Sequence, residues 1–443
     1  SYKTRYFSEF FLFLFMNKIV LLSALGFFFG AQAQFKIAIE TPAEFAPKEA
    51  YVYTLDGSKD ILNSKVNRSG NNWNISISKP YSGMMKVFFP ETNASFNLIS
   101  ENKDIKVKLL TNKEKITRID FLDEPNALMS SIQDNQQKKE LILPALYQIK
   151  EYYKSESNFG KALDTEILTL SDPTPDVPKY PFVHFYNDNY NRFVEKSASK
   201  TPATEKEIQE FLVNSNELLE ASSLMRPVLV SYLNLASAGS NVSGSVDTLL
   251  NAVNTETPRG QTVMSELIDI FDVYGMNDLK TKYLTDAKNL KCTINDRLTS
   301  TIKSNTNVEM GAKFPNYKFA NATNTTAKSI HEVKAKNKIL VFWSSTCSHC
   351  EKELPEILEK YNDLKKLNVE VIGLSLDSDK TSYINRISSL PWINDSELKG
   401  WYSSYVETYN VHATPTYFVL DADNKIVAKP DHAKDALNHF NLK

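Results

Sequence analysis

Residues 338–355 read KILVFWSSTCSHCEKELP: an apolar run from Ile339 to Trp343, a polar turn, Cys347-Ser348-His349-Cys350, and the opening of a charged, helix-favouring stretch. The run predicts a strand, and the following pattern predicts a helix whose first turn carries the cysteine pair. A helix N-terminus presents unpaired backbone N–H groups and a partial positive charge, which stabilise a thiolate at Cys347. Cys350, three residues on, is then placed to attack any mixed disulfide formed there. The same spacing also serves zinc, but a zinc site needs further ligands, and Cys292, the remaining cysteine, brings no second pair. Neither a metal nor a cofactor is expected.

Around this stretch, residues 311–443 read as one α/β unit. The strand at Ile339 to Trp343 leads into a helix over about 349–366, and a second strand runs from Val369 to Leu376. Mixed polar and helical segments follow to Tyr409, then a strand at Thr416 to Leu420, a turn at Asp421 to Asn424, a strand at Ile426 to Ala428, and a terminal helix.

Upstream, residues 113–310 change to a helical period. Ile142, Leu146, Ile149 and Tyr153 form one stripe, Val263, Leu267, Phe271 and Tyr274 a second, and Leu279, Tyr283, Ala287 and Leu290 a third, all expected to be core. Thr204 and Glu207 form a capping box, and Gly275 ends one helix before the next begins near Asn277. Pro173, Pro175, Pro178 and Pro181 mark a long loop ahead of the aromatic run Phe182 to Tyr190. Cys292 is expected to pack as a small buried hydrophobe.

Residues 34–112 alternate with a period of two. Six short strands, centred on Ile37, Tyr53, Ile75, Val87, Leu98 and Val107, predict an antiparallel sandwich or small barrel with no cluster of catalytic side chains. The fold class is therefore multidomain α+β: a β-rich N-terminal part, a helical middle and a C-terminal α/β unit.

From Met16 the chain reads MNKIVLLSALGFFFGAQAQ, with Lys18 before an apolar stretch and Ala31-Gln32-Ala33 as a small-x-small cleavage site. This predicts export to the periplasm with cleavage after Ala33, residues 1–15 being an upstream extension. The 51 basic and 53 acidic residues balance to a formal charge of −2, which gives no basic surface for nucleic acid. Three cysteines in so long a chain are no disulfide scaffold, so a pair in one motif points to redox use.

The last 130 or so residues resemble the thioredoxin superfamily, most closely its exported TlpA/ResA-like thiol-disulfide oxidoreductases. The residues that carry the resemblance are Gly311-x-x-Phe314-Pro315, Phe342-Trp343, Cys347 and Cys350, Glu353-Leu354-Pro355, and Thr414-Pro415. The resemblance implies a thioredoxin-like fold for 311–443, with Thr414-Pro415 beside the cysteines as a cis bond that docks substrate. Thr346 departs from the tryptophan that usually precedes the first cysteine, and Val341 stands where thioredoxin itself keeps a buried acid. The layout as a whole is similar to a group described only as thiol-disulfide interchange proteins.

With Cys347 as nucleophile and Cys350 as resolving thiol, the chain is expected to exchange disulfides with exported proteins. A membrane redox donor or acceptor would serve as its electron partner, and the N-terminal parts could act in docking. His349 and Glu353 are candidate tuning residues, Glu353 as a proton acceptor for Cys350. A positive ring at His349 stabilises the Cys347 thiolate and so favours oxidation, whereas the TlpA/ResA-like shape implies reduction, which leaves the direction open. The alternative is a metal or haem-protein maturation factor in which Cys347, His349 and Cys350 hold a soft metal.

Overall fold

The structure is a computed structural model that describes residues 34–171, 177–195 and 201–442. Residues 1–33, where an export signal is predicted, and the prolines at 173 and 175 lie outside the described residues. Among the described residues no helix is long and apolar enough to cross a membrane.

Eight strands open the described chain: β1 (Phe35–Glu40), β2 (Glu49–Asp56), β3 (Lys59–Asn67), β4 (Asn72–Ile77), β5 (Ser82–Phe89), β6 (Ala94–Glu101), β7 (Ile105–Asn112) and β8 (Lys115–Phe121). They form two four-stranded sheets, ordered β4-β1-β7-β8 and β3-β2-β5-β6. Phe35, Ile37, Ile39, Val52, Trp73, Ile75, Val87 and Val107 point inward to one core, as the alternation dictates. Two features correct the expected six antiparallel strands. β1 pairs with β7 in parallel, Ile37 opposite Ile105. β3 and β8 are additional edge strands whose residues are mostly exposed or half-buried, so they carry no strict apolar alternation to read. β8 carries the β-rich part through Phe121, into the span assigned to helices.

Helices then run from Glu124 to Asn307. Val263, Leu267 and Phe271 are fully buried in the helical core, as are Tyr283 and Ala287, and Leu279 and Leu290 pack partly buried against it. Tyr274, past the end of its helix at Val273, is exposed rather than core. The first predicted stripe is not core: Ile142, Ile149 and Tyr153 are 43%, 39% and 50% exposed. The reason is Pro144, at which one helix ends at Leu141 and a short one restarts at Leu143, so the stripe never belongs to a single long helix face. The aromatic run forms the helix Pro181–Phe193 and puts Phe182, Tyr186 and Tyr190 into the core. The Thr204 and Glu207 capping box is present.

The β-rich and helical parts meet at the β2–β3 turn. Gly57 has φ +66°, and a Cβ there would lie 2.8 Å from Glu266 Oε1. Glu266, fully buried, accepts from Ser58 N at 2.9 Å, Ser58 Oγ at 2.7 Å, Arg226 Nε at 2.9 Å and Arg297 Nη2 at 3.1 Å. Both lone-pair sets of the carboxylate are thus used, the condition for burying it without a large penalty.

The C-terminal unit has a five-stranded sheet, ordered β11 (Ile393–Asp395), β10 (Val369–Ser375), β9 (Asn337–Trp343), β12 (Thr416–Asp421) and β13 (Ile426–Ala428). β9 lies at the centre, parallel to β10 and antiparallel to β12. From Ile339 to Trp343 it is apolar at every position because both faces are covered. Leu340 and Phe342 pack with Phe314, Leu374 and Phe418, whereas Ile339, Val341 and Trp343 pack with Cys350, Leu354 and Tyr417. This is the thioredoxin-like arrangement expected for the unit.

Candidate active site

The thiol pair sits where β9 gives way to the helix Ser348–Lys366. Cys347 is that helix's N-cap residue, and its Sγ accepts the Cys350 N–H at 3.1 Å. Cys347 is half-buried and Cys350 is 1% exposed, and the two are joined as a disulfide. The outer sulfur is therefore reachable by a partner and the inner one only through it. Pro355 is accommodated inside this helix.

Residue 414 reaches the pair by strand register. Thr416 of β12 pairs with Phe342 of β9, so the chain just before β12 is level with the end of β9 where the cysteine turn begins. Thr414 O lies 3.2 Å from Cys347 Sγ, and the Thr414–Pro415 peptide bond is cis. Glu353, one turn along the helix from Cys350, accepts from Tyr417 Oη at 3.0 Å and from Ala433 N at 2.8 Å, with His432 Nδ1 at 3.1 Å. Burial, and then the charge of Glu353, push the Tyr417 phenol well above its ordinary pKa, so Tyr417 remains a donor to that carboxylate. His349 is exposed. The structure thus brings Cys347, Cys350 and the Thr414-Pro415 bond together, places Glu353 one helical turn from Cys350, and leaves His349 exposed.

Cys292 is free and half-buried, rather than fully buried, with Gln261 Nε2 at 3.5 Å from its sulfur. Among the described residues no three His, Cys, Asp or Glu side chains gather as a metal site, so the soft-metal alternative gains no donor geometry at Cys347, His349 and Cys350. A cavity of about 1570 Å³ opens between β2, β5 and the helical region, lined by residues between Tyr53 and Ser231. It lies apart from the cysteine pair in the chain and contributes nothing to it.

Asp377, which the sequence alone does not single out, holds the turn in place. It is 4% exposed, and its Oδ1 accepts from Ser345 N at 2.9 Å, Ser344 Oγ at 3.0 Å and Ser345 Oγ at 2.7 Å, while Ser375 Oγ donates to Oδ2 at 2.6 Å. An acid just past the carboxyl end of β10, the strand beside β9, is the one signal that points to it. Asp377→Ala is expected to leave Ser345 N–H unpaired and let the turn shift, lowering protein-disulfide turnover on the order of tenfold. Steady-state kinetics of the purified variant check this, and an unchanged rate would contradict it.

A Redoxin family model matches residues 309–436. The chain is similar to a thiol-disulfide oxidoreductase ResA of Bacillus cereus, 31% identical over 128 residues that cover 28% of this chain and 69% of that protein. It is similar to the protein of the same name from Bacillus thuringiensis subsp. konkukian, 30% identical over 141 residues, 30% of this chain and 77% of that protein. Among solved structures it is similar to the thioredoxin domain of a thiol-disulfide oxidoreductase from Bacteroides vulgatus, 25% identical, covering 30% of this chain and 96% of that one, with a TM-score of 0.28. Through its C-terminal third, the chain belongs to the ResA family of thiol-disulfide oxidoreductases.

Proposed function

We propose that the protein is a periplasmic thiol-disulfide oxidoreductase that reduces disulfides of exported proteins, with Cys347 as the attacking thiolate and Cys350 as the resolving thiol. The observation that carries this reading is the pairing of a reachable sulfur, capped by the Cys350 N–H at 3.1 Å, with a sealed one beneath it. In the reducing direction the Cys347 thiolate attacks one sulfur of a substrate disulfide, and the other substrate sulfur leaves as a thiolate. Cys350, once deprotonated, attacks Cys347 Sγ, the second substrate sulfur leaves, and the protein keeps the electron deficit as its own disulfide. A membrane-bound donor then restores the dithiol. Glu353, three residues on from Cys350 in the same helix and held by Tyr417 and Ala433, is the candidate to take the Cys350 proton.

Thr414 and Pro415 supply the docking edge, since Thr414 O already lies against the reactive sulfur. The redox unit is taken as residues 311–443, carried by a β-rich unit and a helical unit that meet near Leu122, and export follows from the segment ending at Ala33.

Equilibration of the full chain with glutathione buffers tests the direction. A potential near the thioredoxin value of about −270 mV supports a reductase, and one near about −120 mV would reverse the assignment to an oxidase. His349→Ala is expected to lower the potential by less than roughly 30 mV, because the exposed ring two residues from Cys347 acts on the thiolate only as a solvent-screened charge. An unchanged potential would remove His349 from the tuning role.

A further inference from the structure

The segment that leads into Thr414-Pro415 is gripped from outside the redox unit. Asn410, at φ +51°, donates from Nδ2 to Asp272 Oδ2 at 2.6 Å, and His412 Nε2 lies 3.3 Å from the same oxygen. Asn307 Nδ2 donates to Thr408 O at 2.9 Å, two residues earlier. Asp272 stands in the last turn of the helix Pro258–Val273, where the helix dipole disfavours a negative charge, and its side chain is only 19% exposed. Local helix energetics do not account for an acid there. Its partners do: Lys280 pairs with Oδ1, while Asn410 and His412 share Oδ2. Burial pushes the carboxyl pKa up, but the His412 hydrogen bond and the Lys280 charge bring it down to about 2, so it is ionised at neutral pH.

His412 lies two positions before Thr414, whose carbonyl oxygen is 3.2 Å from Cys347 Sγ. Two residues span at most about 7 Å of chain, too short to absorb a shift at His412 without moving Thr414. We propose that Asp272 is a positioning residue for thiol-disulfide exchange: from the helical region it fixes Asn410 and His412, and with them the Thr414 main chain against which a protein substrate docks beside Cys347. This rests on the reading of Thr414-Pro415 as the docking edge. It gives the helical region a part in the reaction, that of setting the shape of the surface presented to a polypeptide, while the chemistry stays with the cysteines.

The test compares a protein disulfide, insulin, with a small one, 5,5′-dithiobis(2-nitrobenzoate), on the full chain. Asp272→Ala is expected to raise KM for insulin roughly tenfold while kcat and the rate with the small disulfide stay within about twofold. Asp272→Asn keeps an oxygen to accept the Asn410 hydrogen bond and is expected to restore most of the insulin KM. An insulin KM unchanged in Asp272→Ala would overturn the proposal. So would a parallel fall of both rates in Asp272→Ala and Asp272→Asn, the mark of a general loss of fold. Ala413→Trp, at an exposed position next to Thr414, separates the two levels of the argument. If it leaves insulin KM unchanged, the docking reading fails and the proposal with it; if it raises KM and Asp272→Ala does not, the Asp272 proposal alone fails.

Discussion

Cys347→Ser is expected to lower protein-disulfide turnover by a factor of at least about 10³, because a neutral hydroxyl at the helix N-terminus cannot replace a thiolate as the attacking group. The fold should survive the change. Cys347 is the N-cap of the Ser348–Lys366 helix and accepts the Cys350 N–H, and serine is among the residues preferred at that position. Cys350→Ser should behave differently. Cys350 is 1% exposed beneath Cys347, so its loss leaves the first attack intact and removes only the thiol that resolves the intermediate. The paired outcome is specific to the assigned roles: a dead enzyme from one substitution and a stalled one from the other. Substantial turnover in Cys347→Ser, measured with insulin, would assign the nucleophile elsewhere.

Glu266→Ala is expected to cost about 3–5 kcal/mol, the usual consequence of removing one partner from a buried ion pair. Arg297 would keep only Asp269, at 2.6 Å, as its carboxylate partner, and both donors of Ser58 would lose their acceptor. The loss falls on the joint between the β2–β3 turn and the helical region. Denaturant unfolding followed separately by tryptophan fluorescence and by helical circular dichroism should show it, and a change below about 1 kcal/mol would contradict it. The same carboxyl gives a pH signature. Burial pushes its pKa up from the usual 4.5, but the charges of Arg297 and Arg226 pull it further down, so its folded value lies below its unfolded one. Its contribution is therefore fully present above the unfolded pKa and is lost as pH falls through the folded value. The unsubstituted protein should lose stability in that acid window, and Glu266→Ala should lose less.

The parts of the fold that are legible in the sequence are those where burial imposes a period. Ile339 to Trp343 is apolar throughout because β9 is covered on both faces, and β1, β4, β5 and β7 alternate because one face of each meets the sandwich core. β3 and β8 leave no such trace because every one of their residues is exposed or half-buried, unlike β4, an edge strand that still turns one face into the core. The Ile142 stripe misleads because residue spacing alone does not register the helix restart imposed by Pro144. At the site, Cys347, Cys350 and Glu353 are legible because they share one helix. Thr414 and Pro415 are reached by resemblance alone, since a 67-residue gap is closed only by the β9–β12 register. Asp377 and Asp272 have no signal of that kind. Each is an acid whose meaning lies in what it accepts: the Ser345 N–H in one case, the Asn410 side chain in the other.

The central claim is that Cys347, and no other group, makes the covalent link to substrate. Reduced Cys350→Ser, incubated with insulin and analysed by non-reducing peptide mass spectrometry, tests it directly, because Cys347 and the half-buried Cys292 are then its two cysteines. The predicted result is one insulin molecule per protein molecule, joined through one of its sulfurs to the peptide that contains Cys347 and released by dithiothreitol. An adduct on Cys292, or none at all from protein that is folded and fully reduced, would contradict the account.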